Sequence, residues 1–146
     1  MTGVVMKIKL LDPNAKVPTQ GSAYAAGFDL YASKACVIES GQCVLVHTGL
    51  AMEIPLGYWG GIYARSGLAT KQGLRPANAV GVIDSDYRGE VMVALYNDSS
   101  FEREINVGDR IAQLVLAPVC CPTDGFQVVD ELSDTSRGNG GFGSTG

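Results

Sequence analysis

The 146-residue chain has a single histidine, and its four cysteines show no C-x-x-C spacing. A zinc site would have to be assembled from scattered ligands, which argues against one. With His47 alone and no nucleophile motif, covalent acyl transfer has no support either. His47 reads as a strand-end surface residue, and adjacent Cys120 and Cys121, which would point to opposite faces of a strand, as buried free thiols by default; Cys36 and Cys43 complete the four. No apolar run approaches the roughly 20 residues that cross a bilayer. The N-terminus lacks the apolar segment and cleavage site of a signal peptide, so the expected setting is the cytoplasm or another reducing compartment. Basic charge is also scarce. A net charge of −4 argues against binding the nucleic-acid backbone, so cations must be concentrated locally if phosphates are handled. Arg65, Lys71, Arg75, Arg88, Arg110 and Arg137 are available for that.

Helical periodicity is missing as well. Short β-type runs recur between turn signals: 4–10, 36–39, 43–47 (ending near Gly49), 58–63, 79–83, 91–96 and 111–116. The one helical candidate starts around Ser66 and is stopped by Gly73. This spacing predicts an all-β sandwich, barrel or jelly roll in one domain. The strand pattern fades from Thr123, which divides the chain into a core of residues 1–122 and a C-terminal arm of residues 123–146.

Glycine is abundant at the end of that arm, where residues 137–146 contain five. Glycine lets backbone N–H groups approach an anion closely, and successive N–H groups can form an anion-binding nest. Arg137 adds a forked phosphate donor, Ser144 and Thr145 add hydroxyls, and Phe142 offers a face for a base. There is no Walker A lysine, so this is not a P-loop. An arm with binding chemistry and no core of its own reads as a lid.

Four further clusters stand out. Asp29 sits in the apolar stretch 25–32. Arg65, Ser66 and Gly67 precede the short helix, an arrangement suited to phosphate. Residues 78–90 read as a hairpin, with Asn78 able to donate and accept at a base edge and Asp84 placed to take a proton from water. Asp86 and Arg88 read as solvated turn residues. In residues 108–113 a tight turn leads into a strand carrying Gln113, and Asp109 and Arg110 are expected to brace each other.

Five segments stand in the order found in the all-β, homotrimeric dUTPases, and the chain resembles that family across nearly its whole length. They are Ala26-Gly-Phe-Asp-Leu, Arg65-Ser-Gly-Leu-Ala, Gly81-Val-Ile-Asp-Ser-Asp-Tyr-Arg-Gly, Gly108-Asp-Arg-Ile-Ala-Gln and the arm motif from Arg137. One departure is Ala64, where the family usually has proline before Arg-Ser-Gly.

The resemblance implies a distorted jelly-roll or β-barrel subunit of the β-clip type, with one short helix. It implies a homotrimer whose active sites lie between subunits, the arm of one closing over another. The implied reaction is hydrolysis of dUTP to dUMP and pyrophosphate by Mg²⁺-assisted attack of water on the α-phosphorus. That reaction limits uracil in DNA and supplies dUMP for dTMP synthesis. By the resemblance Asp84 activates the water, and Asp29 and Gln113 are outer-shell metal residues acting through water. Arg65, Ser66, Gly67 and Gln113 match phosphate-binding positions, and Arg137, Gly143, Ser144 and Thr145 clamp the γ-phosphate. Asn78 and the backbone of Met92 read uracil, Tyr87 excludes a 2′-hydroxyl, and Phe142 stacks on the base. Neither direct nucleic-acid binding nor a membrane is expected. The compartment would be the nucleus or an organelle in some eukaryotes, or the host cell for a virus. The related dCTP deaminases share the fold, but their catalytic glutamate falls on Ala94, which cannot move a proton.

Overall fold

The structure, a computed structural model, describes residues 3–121 and 124–144. The boundary proposed between core and arm, at residues 122 and 123, lies outside the described residues, as does Thr145. Among the described residues there are eleven strands and one helix. All strand pairings are antiparallel. One sheet has the order β1 (Lys7–Leu10), β5 (Cys43–Glu53), β9 (Val91–Asn97), β7 (Leu74–Pro76). A second has the order β2 (Thr19–Gln20), β3 (Phe28–Tyr31), β11 (Arg110–Pro118), β6 (Tyr58–Tyr63), β8 (Gly81–Ile83). β4 (Cys36–Ile38) and β10 (Arg103–Ile105) form a two-stranded ribbon, and α1 spans Ser66–Gln72. No helix among the described residues is long and apolar enough to cross a membrane.

Period-two alternation builds the core. In β9, Val91, Val93, Leu95 and Asn97 are buried while Met92, Ala94 and Tyr96 face outward. The inward set meets Leu30, Ile38, Val46, Leu50, Ile62, Leu74, Ile111 and Leu114, each contributing roughly 1.5–3 kcal/mol by leaving water. Asn97 is the polar member, and its amide is satisfied: Nδ2 donates to Ile38 O (2.9 Å) and Phe101 O (2.7 Å), and Oδ1 accepts from Ser99 N (3.0 Å).

Several sequence expectations need correction. The segment from Cys43 does not end near Gly49; β5 continues to Glu53 through a bulge, because His47 pairs with Met92 but Leu50 already pairs with Val91. The two extra residues, Thr48 and Gly49, are accommodated by the left-handed backbone of Gly49 (φ 67°). His47 is therefore a half-buried mid-strand residue, not a strand-end one. Nor are the adjacent cysteines buried. β11 stops at Pro118 and the chain leaves the sheet, so Cys120 and Cys121 are exposed, as is Cys43. Only Cys36 is partly buried, which raises its thiol pKa.

Residues 78–90 do not form a hydrogen-bonded hairpin. β8 pairs with β6 in one sheet, whereas β9 pairs with β5 and β7 in the other. The two arms of the motif are splayed across the sandwich.

Candidate active site

That splay creates a slot. β7 pairs with β9 only as far as Pro76 opposite Leu95, and the last bond is Ala77 N–H to Ala94 O at 2.7 Å. Beyond it, towards Val91, β9 presents an open edge that faces the outer edge of β8. Asn78, Gly81, Met92 and Ala94 line a cavity of about 190 Å³ in this gap. The chain reaches it through a tight bend in which Ala79 takes φ 61° and Val80 N–H donates to Asn78 O (2.7 Å). A planar ring entering there meets main-chain groups and the Asn78 amide, which can match the hydrogen-bonding edge of a base. Ala94 on the wall supplies no acid or base, as the sequence comparison with deaminases implied.

The slot opens into a neighbouring cleft of about 260 Å³ lined by Asp84, Tyr87, Glu90 and Met92. Asp84 follows the last residue of β8 and is exposed. Tyr87 lies against Gly89, where an added Cβ would come 2.6 Å from the tyrosine hydroxyl, and that hydroxyl donates to Glu90 O (2.8 Å). Arg88 turns away and donates to Ser85 O and Tyr87 O, consistent with a turn role.

A second cluster forms where β3, β11 and β6 run side by side, with Gln113 opposite both Asp29 and Tyr63. The Asp29 carboxylate, only 15% exposed, accepts from Arg65 Nε (2.9 Å) and contacts Arg110 Nη1 at 3.5 Å. Arg110 thus pairs with Asp29 and not with Asp109, which instead accepts from Asn106 N (2.7 Å). Gln113 Nε2 donates to Ala64 O (2.9 Å), leaving Oε1 directed at Gly27, where a Cβ would sit 2.6 Å from it. Ser66 and Gly67 are exposed in the first turn of α1, whose N-cap, Arg65, makes no side-chain cap bond. The first-turn N–H groups thus lack a side-chain cap.

The two clusters do not meet within one chain. Ile83 pairs with Gly60 near the start of β6, and Gln113 pairs with Tyr63 at its end, a span of about 10 Å at strand rise. Asp84 and Arg65 lie further out in opposite directions. The arm does not join them. Arg137 Nε is turned back onto Gly140 O (2.9 Å), and Phe142, Gly143 and Ser144 are exposed. Phe142 adopts a left-handed backbone (φ 51°), and Phe126, Val128 and Leu132 present their side chains to solvent. The role of Arg110 and the His47–Glu90 contact were not anticipated; the Gly-Asp-Arg turn could have signalled the first.

Together these features form an all-β arrangement: a narrow slot between the sheets, a carboxylate at its mouth, and an arginine-bearing turn. The dUTPase family model matches residues 13–146. A deoxyuridine 5'-triphosphate nucleotidohydrolase of Candida albicans is 48% identical over 97% of this chain and 87% of its own length. One from Nautilia profundicola is 50% identical over 97% of this chain and 98% of its own. Among solved structures, the Staphylococcus bacteriophage 80alpha dUTPase with dUPNHPP superposes with a TM-score of 0.90 at 29% identity, covering 97% of this chain and 98% of that one. A mutant dUTPase from phage phi11 of S. aureus, described with a structural Mg(II) ion, superposes at 0.80 with 26% identity over 88% and 98% of the two chains. The chain belongs to the dUTPase family.

Proposed function

We propose that this protein hydrolyses dUTP to dUMP and pyrophosphate, with water attacking the α-phosphorus. The observation that carries the reading is the slot between β8 and β9, with Asp84 at its mouth. A uracil held by Asn78 and the free main-chain edge at Met92 directs its sugar towards Tyr87 and its first phosphate towards Asp84. An exposed carboxylate is a weak base, so orienting the water contributes as much as accepting its proton. Arg65, Ser66 and the first-turn N–H groups bind the phosphate chain. Arg137, Gly143, Ser144 and Thr145 close on the γ-phosphate, and Phe142 stacks on the base.

The residues present fit Mg²⁺. Around the Arg65 turn the ligand atoms on offer are oxygens, the hard set Mg²⁺ takes, commonly through retained water. Gln113 Oε1, free of other partners among the described residues, and Asp29 would hold its water shell, and the ion would neutralise the triphosphate. Asp29 has a second task, fixing the Arg65 guanidinium at 2.9 Å.

The separation of the two clusters along β6 supports a homotrimer, in which the Arg65 turn of one subunit meets the Asp84 cleft of another. The exposed apolar side chains of the arm support its docking on a neighbour. The physiological reading is removal of dUTP, limiting uracil in DNA and supplying dUMP for dTMP synthesis.

The test is pyrophosphate release from dUTP, dTTP, dCTP and UTP, with and without Mg²⁺, on protein of measured mass. Release from dUTP alone, dependent on Mg²⁺, by a particle about three times 15.3 kDa is expected. Ammonia release from dCTP, or no pyrophosphate from any substrate, overturns the reading.

A further inference from the structure

Tyr87 is 40% exposed and has no core packing of its own to hold it in the cleft. Its ring rests on Gly89 and its hydroxyl on the main-chain carbonyl of Glu90 (2.8 Å). The position of the ring is therefore set by the backbone at residues 89–90. That backbone is anchored through one side chain. The Glu90 carboxylate accepts from Gly49 N–H in the β5 bulge (2.9 Å) and lies 3.0 and 3.1 Å from His47 Nδ1. Next to it, Thr48 Oγ1 donates to Val91 O, and His47 itself pairs in register with Met92. These contacts together tie the bulge of β5 to the backbone beneath Tyr87 and to Met92.

We infer that the His47–Glu90 pair is a positioning device for substrate selection: it fixes Tyr87 against the sugar and so sets the preference for deoxyribose over ribose. Electrostatics give a second reason for the pairing. Glu90 and Asp84 line the same 260 Å³ cleft, so an unpaired Glu90 would add negative charge where a polyphosphate must enter. The Gly49 N–H donates to the Glu90 carboxylate (2.9 Å), and the His47 ring lies against it. Thr48 and Gly49 lengthen β5 enough to bring these donors to Glu90, which gives the bulge a functional purpose.

This inference rests on the proposed dUTP hydrolysis, and the test separates the two. Steady-state kcat and KM for dUTP and UTP are measured for the wild type, Glu90→Ala, Glu90→Gln, Tyr87→Phe and the Glu90→Ala/Tyr87→Phe double variant. Amide NMR signals of Gly49, Tyr87 and Met92 are followed in the same proteins. Glu90→Ala is expected to lower the ratio of kcat/KM for dUTP over UTP at least fivefold and to shift the Tyr87 signal. Glu90→Gln, which keeps an acceptor for Gly49 N–H, should recover most of the ratio. In the Tyr87→Phe background, removing Glu90 should change the ratio less than twofold, since the link is already cut. An unchanged ratio in Glu90→Ala overturns the inference, even if thermal stability falls, because the pair is then only scaffolding. An unmoved Tyr87 signal in Glu90→Ala overturns it whether or not the protein turns over. A wild type inactive on dUTP overturns the proposed function instead.

Discussion

Replacing Gly27 by alanine tests the phosphate-side cluster at its tightest point. The backbone there needs no positive φ, so an alanine is tolerated conformationally, and the obstacle is space. The new Cβ would lie 2.6 Å from Gln113 Oε1 and 3.3 Å from its Cβ and Cδ. The 2.6 Å clash with Oε1 is relieved only by turning the side chain, while the Cβ, fixed to the backbone, must give by a few tenths of an ångström. Rotation breaks the bond to Ala64 O (2.9 Å), costing about 0.5–1.5 kcal/mol. An off-rotamer torsion adds about 0.5–1.5 kcal/mol. Against this, alanine reduces the entropy of the unfolded chain, which stabilises by about 0.4–1 kcal/mol. The expected net loss is roughly 0.5–2 kcal/mol.

Urea unfolding at fixed protomer concentration measures that loss, and the slope should stay unchanged. Activity should suffer more than stability. A displaced Gln113 no longer orients the phosphate end of the site, so kcat/KM should fall roughly 10–100-fold. The decisive comparison is with Gln113→Ala, where Oε1 and Cδ are gone and only the 3.3 Å Cβ contact is left. In that background Gly27→Ala should cost nothing or stabilise slightly, giving a coupling of about 1–3 kcal/mol. Equal losses in both backgrounds would show that Gly27 is not there to make room for Gln113.

Asp84→Asn should lower kcat by roughly 10²–10⁴-fold while calorimetric binding of a non-hydrolysable dUTP analogue is kept; full turnover in the variant would place the base elsewhere. Truncation after Ser136 should nearly abolish turnover and leave the sedimentation coefficient that of the intact assembly, and unchanged turnover refutes the role of the arm. Phe142→Ala should weaken analogue binding by about 1–3 kcal/mol, the scale of base stacking, and a calorimetric loss near zero rules that stacking out. Burial raises the Cys36 thiol pKa, so less of it is thiolate at neutral pH. Cys36 should be the slowest of the four cysteines to alkylate, and its rate should keep rising to higher pH than theirs; uniform rates by mass spectrometry refute this.

β9 was legible because it alternates cleanly with one face buried, and β6 and β11 because of their aromatic and apolar runs between turn signals. The helix was legible because Gly73 takes the left-handed conformation (φ 69°) that ends it. Thr19–Gln20, Leu74–Pro76 and Arg103–Ile105 were missed because two or three residues carry no periodicity. β3 was read as an apolar stretch around Asp29, since a strand with one charged position looks the same as a loop with one apolar side. Cys120 and Cys121 were misread because the usual burial of cysteine was applied beyond the 111–116 run, where the chain has already left the sheet. The candidate site residues were chosen from residue types and motif order, whereas the Asp29–Arg110 and His47–Glu90 contacts join positions 81 and 43 apart in sequence, and no local pattern reports such pairs.

The misreading of residues 78–90 as a hairpin bears most directly on function. A true hairpin would use the inner edges of both strands on each other, leaving no main-chain donor or acceptor for a base. Here the two strands belong to different sheets, held apart by β6 on one side and by β5 and β7 on the other. The gap between them is thus maintained by the sandwich itself, and its polar edges stay available without a partner among the described residues. A base can occupy the place that a paired strand would otherwise take, and Gly81 keeps the entrance clear where a Cβ would press on Ile62 at 3.1 Å. The same continuous segment then carries Asp84 and Tyr87 past the mouth of that gap, so on the proposed reading recognition of the ring fixes where the sugar and first phosphate fall. The proposed function thus makes selectivity and water activation depend on one short stretch of chain, and a distortion anywhere between Asn78 and Glu90 is expected to impair both.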